Sequence, residues 1–137
     1  KDEVFDVAIV GHVLEHVPGP DLALKEINRI LKKDGRIIVP TPNFKSPWRV
    51  AEILFDKTLA RKDYSLQEQH VYRFSHSSIS KMIEESGFYI TNSGTLYMFS
   101  LPFAIFSEKI AWDIFKIDKL LFRLPFNMIS YIVAAKK

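Results

Sequence analysis

Cysteine is absent from the 137-residue chain, which excludes disulfides and thiolate metal sites and fits a reducing, cytoplasmic setting. Glycine is scarce. Gly11, Gly19, Gly35, Gly87 and Gly94 are all there are, and no two sit close enough to form a glycine-rich loop. An excess of one charge is lacking too: 19 Lys and Arg against 16 Asp and Glu leave a formal charge of +3. No basic run is longer than a pair, so nucleic acid is not an expected partner. No apolar stretch reaches the roughly 18 residues that span a bilayer. The charged start, Lys1 to Asp6, passes into an apolar segment with no small-residue cleavage site, so no secretory leader is expected either. These absences predict a soluble chain, peripheral to a membrane at most.

What is present is a packed-domain composition, 47% hydrophobic and 26% charged, in a length suited to one domain. Phe5 to Val10 is a nearly continuous apolar run ending at Gly11, the pattern of a strand buried on both faces of a parallel sheet. Pro18-Gly19-Pro20-Asp21 breaks the chain. Leu24, Ile27, Ile30 and Leu31 then recur at helical spacing, with Lys32 and Lys33 in the last turn and Gly35 just beyond. Arg36 to Val39 reads as a second buried strand, ended by Pro40-Thr41-Pro42-Asn43. The unit is βαβ; its right-handed crossover brings the carboxyl ends of both strands to the same sheet edge, where ligands bind.

Further along, Ser46 and Pro47 start a helix running to Leu59, followed by a polar stretch read as a lid or insertion. Ser77 is placed to cap a third helix with Ile79, Met82 and Ile83 as its apolar stripe, stopped by Gly87 and Phe88. A strand follows over Phe88 to Thr91, and Met128 to Ala135 reads as a last strand. Between them, Phe103 to Phe126 sets Phe106, Ile110, Ile114, Ile117 and Leu121 near one helical face with charges interleaved. That face reads either as a cover over the core or site, or as an interfacial surface for a membrane or apolar substrate.

The stretch FDVAIVGHVLEHVPGPDLALKEINRILKKDGRIIVPTPN, residues 5–43, resembles the fourth strand, fourth helix and fifth strand of class I S-adenosylmethionine-dependent methyltransferases. It is most similar to the small-molecule branch containing the ubiquinone and menaquinone biosynthesis enzymes. The matching positions are Phe5-Asp6, Val7 to Val10, Leu14-Glu15-His16-Val17, Asp21, Arg29 to Lys32, Gly35 and Ile37 to Val39. His70 to Ser75 and Ser86-Gly87-Phe88 resemble the run into and out of the family's fifth helix. The resemblance implies an α/β, Rossmann-like methyltransferase sheet, partial from the fourth strand onward, with helical insertions. It divides one domain into a strand-helix-strand unit (1–43), a lid or insertion (44–74) and a carboxyl-terminal part (75–137). The family's cofactor grip, an earlier strand with a glycine-rich loop and a later acidic residue, is not among these residues, so three further strands and their helices are expected before Lys1.

By the same resemblance the cofactor is S-adenosylmethionine, with Gly11, His12 and Val13 lining its methionine part. His16 is the catalytic candidate, since a neutral imidazole can accept the proton of a hydroxyl nucleophile; orienting the loop is its other reading, as it is for Glu15. Thr41, Asn43, His70 and Tyr72 are the substrate-side candidates, with a plain turn or surface loop as their alternative. His12-Val13-Leu14-Glu15-His16 spells the H-x-x-E-H zinc pattern, but a strand before it and Pro18 after it deny the sustained helix that pattern needs, so no metal is expected. The expected function is methyl transfer to a small-molecule acceptor, by O-methylation. The alternative is a non-catalytic module that oligomerises or binds a partner or membrane through residues 103–126.

Overall fold

The computed structural model describes residues 2–58, 69–97, 107–121 and 127–137. These residues build a sheet of strands β1 (Phe5–Ile9), β2 (Leu31–Pro42), β3 (Phe88–Leu96) and β4 (Ile129–Lys136), in the order β1-β2-β4-β3. Helix α1 (Pro20–Ile30) joins the parallel strands β1 and β2, and β4 runs antiparallel to both β2 and β3. Helices α2 (Trp48–Thr58) and α3 (His76–Glu85) lie between β2 and β3, and α4 (Glu108–Asp118) precedes β4. The α/β class and the opening βαβ unit agree with the sequence. Leu24 of α1 and Ile79 and Ile83 of α3 share one core with Ile37, Val39, Ile132 and Ala134. The register pairs Ile37 with Ala134 and Val39 with Ile132, so one sheet face carries both helices.

The opposite face overturns an expectation. Phe5, Val7 and Ile9 are 52%, 51% and 73% exposed, so β1 is not buried on both faces. It is an edge strand, and among the described residues no helix covers its second face.

Gly19, at φ 72°, turns the chain into α1, and Pro20 opens the helix where a missing N–H costs nothing. The helix ends at Ile30, sooner than the lysines suggested, because Lys32 and Lys33 lie in an excursion of β2 between the pairs Phe5↔Leu31 and Val7↔Arg36. The left-handed residue there is Asp34 (φ 59°), not Gly35; a short polar side chain tolerates that conformation. Gly35 is required for space: a Cβ would lie 2.7 Å from the Lys32 carbonyl oxygen. Gly35→Ala should therefore cost about 1–3 kcal/mol. A urea midpoint equal to wild type would contradict this.

Pro40 and Pro42 do not end β2; they pair with Tyr131 and Ile129 of β4. Ile38 and Pro40 accept hydrogen bonds from the amides of Val10 and His12 at 2.9 and 3.0 Å, so alternate positions of β2 face the β1 side. The prolines withhold a donor only on that side, past the end of β1, while Ile37, Val39 and Thr41 face β4. Ser75, not Ser77, caps α3: its Oγ accepts from the Ser78 amide and the Ser78 Oγ accepts from the Ser75 amide, a reciprocal pair that needs this spacing. Ile79 and Ile83 are fully buried as the stripe predicts, and Gly87, at φ 91°, ends the helix. β3 continues beyond Thr91 to Leu96, carried by its pairing with β4 across an irregularity between Ile90 and Asn92.

The buried face of α4 is rotated from the expected one, with Ile114 half-buried on it. Ile110 and Ile117 are 50% and 55% exposed, whereas Asp118 is buried and Phe115 stacks on Tyr97 at 5.4 Å. The inward side is therefore the one carrying Phe115 and Asp118. Phe106 lies outside the described residues. Among those described, no helix is long and apolar enough to cross a membrane.

Candidate functional site

The site forms where β1 and β2 end. Beyond Ile9 the chain holds to β2 through Val10 and His12, and His12 takes a left-handed φ of 50°. This twist exposes Gly11, His12 and Val13 and drives Leu14 back into the core, where it is 1% exposed. A turn closed by the His16 amide on the Val13 carbonyl at 3.0 Å then puts Glu15 inside and His16 outside. The H-x-x-E-H segment is thus a turn and not a helix.

Glu15 is fully buried. Its Oε2 accepts from the Thr41 hydroxyl at 3.2 Å, and its Oε1 lies 3.3 Å from His12 Nδ1. Burial alone would push this carboxyl up; the His12 contact, the residue's own backbone amide and Thr41 overcome that and hold it below the ordinary 4.5. His76 goes the other way for a base, lowered from 6.5 by burial. A depressed acid contributes stability above its unfolded value and loses it as pH falls through the folded value. A depressed histidine likewise stabilises the fold above 6.5 and loses that contribution below it. Urea midpoints should therefore fall in two steps on acidification, from about pH 6.5 and again below about pH 4.5. A flat profile between about pH 6.5 and 5 would contradict the His76 assignment, and a flat profile below about pH 4.5 the Glu15 assignment.

His16 Nδ1 lies 2.8 Å from the Gln69 carbonyl oxygen. A carbonyl only accepts, so Nδ1 carries the hydrogen and Nε2 is the lone-pair nitrogen of the neutral ring. The ring stacks on His70, centroids 4.8 Å apart. His70 is buried; its Nδ1 lies 2.6 Å from Glu52 Oε1, and Trp48 Nε1 donates to the same oxygen at 2.8 Å. The Tyr72 amide donates to the Glu15 carbonyl at 3.0 Å, drawing residues 69–72 alongside the turn. Tyr72 remains exposed and stacks on Phe74.

Thr41 and Asn43 are buried and committed to protein partners. Asn43 donates through its backbone amide to Met128 and through its side-chain amide to Asn127, and its Oδ1 accepts from the Lys45 amide. Of their two readings, these contacts serve the loop. The structure brings His12, Glu15, His16, Thr41 and His70 together, and Gly11 and Val13 border them. Glu52 was not singled out in sequence; its signal is a carboxylate four residues after Trp48, one helical turn on.

A nitrogen of each of His16 and His70 and a Glu15 oxygen lie within 4.8 Å of one another. Metal ligands converge on one point with a lone pair each. Here the two rings lie face to face, His16 Nδ1 meets the Gln69 carbonyl, and Glu15 Oε2 accepts from Thr41.

Residues 1–93 match a methyltransferase domain family, and the chain belongs to the class I S-adenosylmethionine-dependent methyltransferases. It is 32% identical over 101 residues to a demethylmenaquinone methyltransferase of Staphylococcus aureus strain JH9, covering 64% of this chain and 42% of that protein. The chain thus spans about two fifths of the curated relatives it matches. Its fold is similar to a Thermotoga maritima S-adenosylmethionine-dependent methyltransferase, a possible histamine N-methyltransferase (TM-score 0.66, 23% identity, 100% of this chain and 58% of that one). It is also similar to the Burkholderia thailandensis 1,6-didemethyltoxoflavin-N1-methyltransferase solved with its acceptor and S-adenosylhomocysteine (TM-score 0.57, 14% identity, 100% and 46%).

Proposed function

We propose that this chain forms the methionine-side wall and the acceptor side of an enzyme that transfers a methyl group from S-adenosylmethionine to a hydroxyl of a small molecule. The observation that carries the reading is an exposed His16 whose Nδ1 meets the Gln69 carbonyl, so that Nε2 is the acceptor of the neutral ring, beside Gly11, His12 and Val13 at the carboxyl edge of two parallel strands. Gly11 fits a cofactor wall: a Cβ there would meet only the Pro40 side chain, at 3.7 Å, so the approach is open. The cofactor supplies an electrophilic methyl on a sulfonium. The residues of this chain align the acceptor and take its proton, and alignment supplies much of the rate of an in-line displacement. The uncovered face and edge of β1 are where the strands expected before Lys1 would add. Residues 44–74 act as the lid in this reading, with Tyr72 on the substrate side.

The S. aureus relative, a demethylmenaquinone methyltransferase, makes demethylmenaquinone the acceptor to try first. Incubating the full-length protein with S-adenosylmethionine and the reduced form of demethylmenaquinone, with catechol in parallel, tests it. Mass spectrometry and NMR should find the new methyl on oxygen. A methyl on a ring carbon would overturn the O-methylation, and no S-adenosylhomocysteine with either acceptor would overturn this acceptor class.

A further inference from the structure

Resting on that reading, we propose that Glu52 is a positioning residue for the proton acceptor His16 and acts through His70. Trp48, Glu52 and His70 form a buried chain ending on the His16 ring: Trp48 Nε1 to Glu52 Oε1 at 2.8 Å, Glu52 Oε1 to His70 Nδ1 at 2.6 Å, then a stack at 4.8 Å with 27° between the planes. Glu52 is 2% exposed and His70 8%, and Phe44 closes on the His70 ring edge-on at 5.5 Å. A buried carboxylate needs partners to stay there: Trp48 donates to Glu52, and His70 lies against the same oxygen in close contact, outside hydrogen-bond alignment, with its ring enclosed by Glu52, Phe44 and His16. His16 is exposed, and its in-plane contact is a single hydrogen bond to Gln69. The stacked ring beneath fixes its plane and keeps Nδ1 aligned on the Gln69 carbonyl, the bond that selects the Nδ1–H form.

In the reaction, the acceptor oxygen bonds to the methyl carbon as the carbon–sulfur bond breaks. The sulfonium becomes a neutral thioether, and the hydroxyl proton passes to His16 Nε2, giving an imidazolium that later releases it to solvent. Glu52 and His70 touch no reacting atom; they set where Nε2 sits.

Long-range nitrogen–proton NMR on the full-length protein reads the His16 tautomer directly. Wild type should show Nδ1–H at His16, Glu52→Met a mixture of both tautomers, and Glu52→Gln, which keeps an acceptor for Trp48 and His70, a wild-type pattern. With the acceptor that turns over, kcat should fall about tenfold to a hundredfold in Glu52→Met with KM for S-adenosylmethionine within about twofold, and be rescued in Glu52→Gln. His70→Asn retains a donor for Glu52 but removes the stacked ring, so it tests the same link if Glu52→Met does not fold; its tautomer and kcat should match those of Glu52→Met. An unchanged His16 tautomer in Glu52→Met or His70→Asn overturns the proposal, as does a Glu52→Gln variant as impaired as Glu52→Met. Absence of methyl transfer in wild type would sink the functional reading instead, while the tautomer still decides the brace.

Discussion

His16→Ala in the full-length protein should lower kcat by roughly 10²- to 10³-fold, the range of a positioned general base, while S-adenosylhomocysteine affinity stays within about twofold of wild type. The expectation follows from the turn itself. Gln69 accepts from Nδ1, so the neutral ring presents Nε2 as an acceptor, and the ring is exposed while its neighbour Glu15 is buried. Its removal leaves the backbone bond from the His16 amide to Val13 in place, so the Gly11–Val13 wall should persist. Equal losses in turnover and cofactor affinity would assign His16 to loop orientation instead.

Glu15→Ala should destabilise the fold by about 3 kcal/mol. Glu15 is at 0% exposure, and deleting its carboxylate strands the Thr41 hydroxyl, itself 1% exposed, and removes the carboxylate that His12 meets at 3.3 Å. It also opens a void beside Leu14. Glu15→Gln keeps an acceptor for Thr41 and should lose clearly less, because an unsatisfied buried group costs more than a weakened bond. Urea unfolding of the three proteins checks the order. Equal stabilities would mean that the buried carboxylate does not hold the turn.

The opening strand-helix-strand unit was legible because local chemistry and tertiary structure agree there: an apolar run, a Gly19-Pro20 break and Leu24 at helical spacing. Its edges were less so. The exposure of Phe5, Val7 and Ile9 depends on what lies across the sheet, which no local pattern encodes. Pro40 and Pro42 stay within β2 because of which neighbour their nitrogens face, a property of register. The rotated face of α4 has a similar origin: Ile110 and Ile117 fit a stripe with Ile114, but Phe115 finds Tyr97. At the site, the Leu14-Glu15-His16 motif located the turn correctly. It could not say that Glu15 goes inside and His16 outside, nor that Asn43 would be tied to Asn127, 84 positions away. Glu52 stayed hidden because its partner His70 comes from another segment.

The proposed function requires the Gly11–Val13 loop to wall the cofactor. Gly11 has no close neighbour for a Cβ beyond Pro40 and is not in a left-handed conformation, so Gly11→Leu should fold normally while filling the approach. Titrating the full-length protein with S-adenosylhomocysteine by calorimetry should give saturable one-site binding in wild type. In Gly11→Leu the affinity should be about tenfold weaker or worse, with an unchanged urea midpoint, since a misfitting side chain in a pocket costs roughly 1.4 kcal/mol or more. No heat at high micromolar ligand in wild type, or equal affinity in the two proteins, would contradict it.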